Sequence, residues 1–121
     1  MIAGTSSEQQ SMLGVIPRDW KPNVATTAIT DTLLIGVFTG VRWTNGYQVV
    51  IDAVGLDDTV VTVQVTYTTP KPNQLLQQAG PRSSFAVVGV GRRLLPAATN
   101  LTVRVIDQTN TEMASQTYQM P

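Results

Sequence analysis

The sequence offers few side chains that could do chemistry, and its carboxylates come first. Asp31-Thr32 and Asp57-Asp58-Thr59 contain the Asp-Thr pair of aspartic proteases, in which two carboxylates share one proton. Neither pair is followed by glycine, and an aspartate in a hairpin turn commonly hydrogen-bonds its own backbone. We therefore interpret both pairs as turn and strand-end residues.

Two other uses of carboxylates are equally weak. Asp52, Asp57 and Asp58 could surround a calcium ion, but the loop lacks the spaced oxygen ligands of a calcium motif. A glycosidase pair would have to come from these three, Asp107 or Glu112, several of which lie at predicted turns without a pocket. The sequence predicts solvated turns at these positions.

Cysteine and histidine are both absent from the sequence. This removes disulfides, thiolate nucleophiles, Ser-His-Asp triads and the usual zinc sites. Gly89 and Gly91 superficially suggest a phosphate loop, but no third glycine and no P-loop lysine follow them. We predict a protein that is not an enzyme and that uses no cofactor or metal.

Five residues are candidates for contact with another protein. Asn45-Gly46 suits a type I′ turn, which would place Trp43, Asn45 and Tyr47 at an exposed hairpin tip, where aromatic side chains are favoured interface anchors. Packing of Trp43 in the core is the competing interpretation. Arg92 and Arg93 are either a solvated turn pair or a contact for an acidic partner.

Composition narrows the class of partner. The 121 residues suit one domain, and eight basic and eight acidic side chains give a formal net charge of zero. Nucleic acid and membrane surfaces are disfavoured because both need concentrated positive charge. Charged residues make up 13% of the chain, against about 25% on average, so Thr, Gln, Asn and Ser must cover much of the surface. No apolar run approaches the roughly 20 residues that cross a bilayer.

A period of two dominates the rest of the chain. Residues 33–38 and 84–90 are apolar on both phases, which is typical of buried strands, and we expect the first to be central. Other strands alternate, with one apolar face each. Those faces are Tyr47, Val49, Ile51 and Ala53, then Val61, Val63, Val65 and Tyr67, then Leu101, Val103 and Val105. The pattern predicts an all-β fold: a small antiparallel β-sandwich or partly open barrel built from hairpins, with room for one helical turn around Leu75.

The N-terminal region reads differently from the strands. Residues 1–12 are polar and lack the basic start and apolar stretch of a secretory signal, so we predict a flexible lead-in over 1–12 and a single β domain over 13–121. We expect residues 13–17 to form a brief strand or an irregular apolar segment. Trp20 is expected to cap one end of the core.

Three stretches carry a family resemblance. They are Leu34-Ile35-Gly36-Val37-Phe38-Thr39-Gly40 with Thr44-Asn45-Gly46-Tyr47-Gln48-Val49-Val50-Ile51, then Val61-Thr62-Val63-Gln64-Val65 with Thr69-Pro70-Lys71-Pro72, and finally Gln78 through Ser83-Ser84-Phe85-Ala86-Val87-Val88. Together, over about residues 31–91, they resemble the C-terminal domain of the PrcB family of bacterial protease-complex subunits. Asn45 stands where a second glycine is expected, and Ser84 replaces the proline that usually precedes the aromatic residue.

The resemblance implies a non-catalytic, exported subunit that binds and stabilises a protease, with no family catalytic residues to carry over. The expected location is therefore extracytoplasmic, in the periplasm, in the cell envelope or secreted, although no export signal is present in this chain. Two alternatives stay open. Thr44-Asn45-Gly46-Tyr47 distantly resembles a loop of chagasin-type peptidase inhibitors, and a structural or adhesive envelope domain would show the same polar β surface.

Overall fold

Strands dominate the computed structural model, which describes residues 1–38, 42–44, 48–69, 78–82, 85–96 and 100–120. Two short helices, α1 (Ser6–Leu13) and α2 (Lys21–Thr26), lie near the N-terminus. Single 3₁₀ turns occupy Arg18–Trp20 and Arg92–Leu94. The strands are β1 (Ile2–Ala3), β2 (Thr32–Phe38), β3 (Arg42–Thr44), β4 (Gln48–Asp57), β5 (Val60–Thr68), β6 (Gln78–Arg82), β7 (Phe85–Gly91), β8 (Asn100–Ile106) and β9 (Glu112–Gln119).

The strands form a first sheet in the order β1-β2-β7, a second sheet in the order β4-β5-β8-β9, and the separate pair β3-β6. The all-β, sandwich-like fold expected from the alternating pattern is confirmed. One pairing differs from the antiparallel expectation, because β5 and β8 run parallel, with Val61 opposite Val103. That pairing depends on a long connection between the two strands, which periodicity does not encode.

The first sheet is covered on both faces, which explains the continuous apolar run of its central strand β2. Leu33 and Ile35 enter one core cluster, which they share with Val63 of the second sheet. Leu34, between them in sequence, packs on the other face in a second cluster with Met12. Successive side chains of a strand point to opposite faces, so a strand buried on both sides is apolar at every position.

The buried faces of β5 and β8 are the ones that the sequence predicted. Val61, Val63 and Val65 are buried, as are Leu101, Val103 and Val105, while the intervening residues are partly or fully exposed. Tyr67 packs against the same cluster. The predicted capping role of Trp20 also holds, since its ring packs edge-on against Phe85 at 6.2 Å between centroids.

The predicted face of β4 is wrong in its second half. Ile51 pairs with Val65 but Ala53 pairs with Gln64, so Asp52 is an extra residue, a β-bulge. A bulge shifts the alternation by one position. Val54 therefore packs against the core in place of Ala53, which is exposed.

The first twelve residues also differ from the expected flexible lead-in, because they form ordered elements. Ile2 pairs with Ile35 across β1 and β2, and the polar run that follows is the first part of α1. Met12 is fully buried on the first sheet. Residues 13–17, predicted as a strand or an irregular apolar segment, contain the end of α1 and the buried side chain of Ile16.

Two sequence predictions fall in gaps between the described residues. The Asn45-Gly46 turn and the helical turn around Leu75 both lie outside them. Among the described strands, β3 pairs with β6, whereas the sequence suggested a hairpin with β4.

Candidate functional site

Arg92 and Arg93 lie in the 3₁₀ turn that follows β7, and they face different surroundings. The Arg92 backbone N–H donates to the carbonyl of Asp31 at 2.9 Å, and its guanidinium Nη2 donates to the carbonyl of Gly4. The Nε of Arg92 is buried without a partner among the described residues. Arg93 is exposed. Arg92 thus holds the N-terminal segment, whereas Arg93 is available to a partner.

The positions of the other three predicted contact residues relative to Arg92 and Arg93 lie outside what the structure describes. Trp43 lies in β3, which belongs to the β3-β6 pair, and its side chain is outside the described part of the chain. Asn45 and Tyr47 also fall outside the described residues. Their proposed contact role stays a prediction.

An apolar groove lies between β4 and β7 and includes Leu94, the residue after Arg93, and we refer to it as the β4–β7 groove. Its volume is about 470 Å³. All the residues that line it are apolar: Val54, Gly55, Leu56, Val61, Val88, Gly89, Val90, Gly91, Leu94 and Leu95. Leu94 is 65% exposed and Leu56 is 44% exposed, so the groove presents large apolar side chains to solvent.

A second cavity, of about 440 Å³, lies between β2 and β9 and is called the β2–β9 cavity here. Val103 and Val105 contribute to it from β8, with Ala114 and Gln116 from β9. Ala114 and Gln116 pair with those inward-facing valines, yet both are exposed. The inner face of the second sheet is therefore incompletely covered at this edge.

A polar cluster joins the N-terminus of α1 to β9. Glu8 Oε1 accepts hydrogen bonds from the Tyr118 hydroxyl at 2.7 Å, the Thr5 hydroxyl at 3.0 Å and the Gly4 N–H at 3.2 Å. Thr5 in turn accepts from the Glu8 N–H at 3.2 Å as the N-cap of α1. This reciprocal arrangement is a variant of the capping box, and it fixes the start of the helix.

The same hydrogen bonds shift two pKa values. Burial raises the pKa of Glu8, but the hydrogen bonds from Tyr118, Gly4 and Thr5 together outweigh burial and hold it below its usual value. Burial, followed by the hydrogen bond to Glu8 and its negative charge, raises the pKa of Tyr118 to about 12. The shifts favour the ionised form of Glu8 and the protonated form of Tyr118, which are the forms that their hydrogen bond requires.

Three of the carboxylates considered for catalysis have structural contacts. Asp52 accepts from Thr66 at 2.5 Å across β4 and β5, and Glu112 pairs with Arg104 at 2.7 Å. Asp107 accepts from the hydroxyl and the N–H of Thr109 at 2.7 and 2.9 Å, within the turn before β9. The hydroxyl bond is the main reason why the pKa of Asp107 is lowered. Asp107 thus lies in a turn, whereas Asp52 lies at the bulge of β4 and not in the solvated turn that the sequence predicted.

The described residues contain neither a metal-binding group of acidic side chains nor a helix that could cross a membrane. No three acidic side chains in that part of the chain lie where they could hold a metal ion together. None of its helices combines the length and the apolar character needed to cross a membrane.

Sequence reasoning missed both the polar cluster and the groove. Thr5-Ser6-Ser7-Glu8 has the spacing of a capping box and could have identified α1. The contact of Glu8 with Tyr118 joins residues 110 positions apart and has no local signature. The groove brings together residues of β4, β5 and β7 with Leu94 and Leu95, which share no local signature in the sequence.

The comparisons with known proteins include a match to a family. No curated protein and no solved structure has significant similarity to the chain. The family match spans less than half of the chain and runs from β2 into β6. Residues 33–80 match the model of the PrcB C-terminal family, which confirms over that stretch the resemblance drawn from the sequence.

Proposed function

We propose that this domain is a non-catalytic, protein-binding accessory subunit that stabilises an exported bacterial protease complex. The match of residues 33–80 to the PrcB C-terminal family carries the proposal. That stretch includes β2, β4 and β5, which supply the central strand of the first sheet and half of the second. The part of the chain that resembles the family therefore belongs to the structural centre of the domain.

The surface chemistry supports binding by contact. Asp52, Asp107 and Glu112 are engaged in cross-strand and turn contacts, and no group of acidic side chains in the described part of the chain could hold a metal ion together. Exposed apolar side chains such as Leu94 and Leu56 lie together in one groove. Contiguous apolar surface on a small domain is typical of a binding site for another protein.

The proposal is tested with the purified domain as bait in envelope and secreted fractions of the native host. Captured proteins are identified by mass spectrometry, and the candidate protease is then purified and mixed with the domain. We expect the protease to lose activity more slowly on incubation with the domain, because a ligand that binds only the folded state stabilises it. Absence of any protease among the captured proteins, or an unchanged inactivation rate, would contradict the proposal.

The same mixture separates stabilisation from inhibition. An accessory subunit leaves the initial rate of peptide hydrolysis unchanged, whereas an inhibitor lowers it as the domain is titrated against papain-like or subtilisin-like enzymes. A structural or adhesive domain changes neither the rate nor the lifetime of the protease. Cell fractionation with an antibody against the domain tests the proposed extracytoplasmic location.

A further inference from the structure

The outer edge of β7 carries backbone groups without partners among the described residues, and the hydrogen-bond pattern identifies them. Gly36 donates its N–H to the carbonyl of Met1, so the even-numbered residues of β2 direct their backbone N–H and C=O groups towards β1. Arg92 donates to Asp31, which extends the ladder in which odd-numbered residues of β2 bond to β7. Backbone groups in a strand alternate in direction. Val88 and Val90 therefore bond to β2, while Val87 and Gly89 direct their N–H and C=O groups outward.

This edge borders the β4–β7 groove, so hydrogen-bonding and apolar surfaces adjoin. Val88 and Val90 line the groove between the sheets, and Val54 and Leu56 line it from β4. An extended peptide is the ligand that uses both features, because its backbone pairs with a strand edge while alternate side chains enter a pocket. Folded proteins usually cover or charge such an edge to prevent unwanted pairing.

Two glycines in the groove have no explanation within the described chain. A Cβ on Gly55 would meet nothing within 4 Å, and one on Gly91 would meet only Leu94 Cδ1, at an ordinary 3.9 Å. Neither has a positive φ. Gly89 differs, since its Cβ would lie 2.9 Å from Thr32 Cγ2. A glycine in a strand often marks a bulge, a bend or a site that a ligand or another backbone approaches closely, and the bulge of β4 lies at Asp52 and not at Gly55.

The residue that precedes Leu94 of the groove lining carries a charge, which specifies the ligand further. Arg93 precedes Leu94 in the 3₁₀ turn and is exposed, and it has no acidic partner among the described residues. The groove lining itself is uncharged. A carboxylate of the ligand placed near Leu94 would complement the charge of Arg93, whereas a cation there would be repelled.

We propose that the β4–β7 groove binds an extended, mostly apolar peptide segment of a partner protein, which pairs with the outer edge of β7 and places a carboxylate at Arg93. This inference deepens the proposed function, because the partner there is the protease complex. It also stands on the groove alone, since any peptide of this chemistry would bind.

The first experiment uses a defined probe, a six-residue peptide of alternating valine and threonine that ends in aspartate, acetylated at its N-terminus and amidated at its C-terminus so that the aspartate side chain is its only carboxylate. Amide hydrogen exchange in the free domain should be faster at Val87 and Gly89 than at Val88 and Val90. Titration of the peptide should shift the amide resonances of Val87, Gly89 and Gly91 saturably and slow the exchange of Val87 and Gly89. Shifts confined to the β2–β9 cavity, or no saturable shift at millimolar peptide, would overturn the inference.

Charge reversal tests the role assigned to Arg93. A peptide that ends in lysine should bind about tenfold more weakly, which corresponds to about 1.4 kcal/mol. Arg93→Glu should reverse that preference, and Arg18→Glu, which changes an exposed arginine outside the groove, should leave it unchanged. Equal affinity of both peptides for the native domain would overturn the assignment of the carboxylate.

Leu94→Ser separates this inference from the proposed function. Leu94 is mostly exposed, so the variant should fold, which its amide spectrum verifies. We expect it to bind the peptide about tenfold more weakly and to capture less protease. Undiminished capture of the protease by Leu94→Ser would refute the groove as the docking site and leave the proposed function standing. If the native domain bound the peptide but captured no protease, the groove would stand as a peptide-binding site and the proposed function would be refuted.

Discussion

Glu8 and Tyr118 connect the first helix to the last strand through one short hydrogen bond. We expect Tyr118→Phe to lower the free energy of unfolding by about 1–2 kcal/mol, because a hydrogen bond to an ionised carboxylate contributes more than a neutral one. Urea unfolding at pH 7 measures the change. In a double-mutant cycle with Glu8→Gln, the two substitutions should cost less together than the sum of their separate effects. Strict additivity would show that the hydroxyl and the carboxylate are not coupled.

The pKa shifts of these two residues predict how stability depends on pH. The pKa of Glu8 is lower in the folded state than its usual 4.5, so its stabilising contribution is present above that pH and is lost as the pH falls further. The pKa of Tyr118 is raised from 10.0 to about 12, so its contribution is complete below pH 10 and declines as the pH rises towards 12. Urea midpoints across both ranges should fall less steeply in Glu8→Gln on the acid side and in Tyr118→Phe on the alkaline side. Slopes identical to those of the native protein would contradict this.

Among the elements, β2 has the tightest packing requirement, because both of its faces are covered. A Cβ on Gly36 would lie 2.8 Å from two carbons of the Phe85 ring. We expect Gly36→Ala to cost about 1–3 kcal/mol, since overpacking forces neighbouring side chains from their preferred positions. The matched control is Gly14→Ala at the end of α1, where the nearest atom is 3.5 Å away and φ is −73°. It should be neutral or stabilising by up to about 1 kcal/mol. Thermal or urea unfolding of both variants gives the comparison.

The elements also show what sequence reasoning can and cannot reach. The alternation of β5 and β8 and the doubly apolar run of β2 follow from burial, so period and composition were sufficient for them. The bulge at Asp52 changes the backbone pairing of one residue and has no signature in the composition. The sequence therefore did not predict that Val54 faces the core. The parallel pairing of β5 with β8 and the packing of α1 are decided by distant partners. For the candidate site, the exposure of Arg93 was within reach, whereas the anchoring of Arg92 on Gly4, 88 positions away, was not.

Across the whole molecule, the chain forms three layers. The first sheet is the middle layer, with the helices packed on one of its faces and the second sheet on the other. Met12 is fully buried in the cluster between the helices and the first sheet, and Leu33 and Leu34 point from the same strand into the two different clusters. Loss of packing on one face must therefore weaken the strand on which the other face depends. We therefore expect the N-terminal helix to unfold together with the two sheets.

This architecture predicts that Met12→Ala will destabilise the entire domain by about 2–4 kcal/mol, the usual cost of emptying a buried methionine site. Met113→Ala is the matched control, because Met113 is 45% exposed, and it should change stability by less than about 0.5 kcal/mol. Unfolding is followed by far-ultraviolet circular dichroism for the sheets and, in a Trp43→Phe background, by the fluorescence of Trp20 for the helical layer. Both signals should move together to a lower urea midpoint, because the strand that connects the two clusters unfolds only once. A separate, earlier transition in Trp20 fluorescence would mean that the helical layer detaches while the two sheets remain folded.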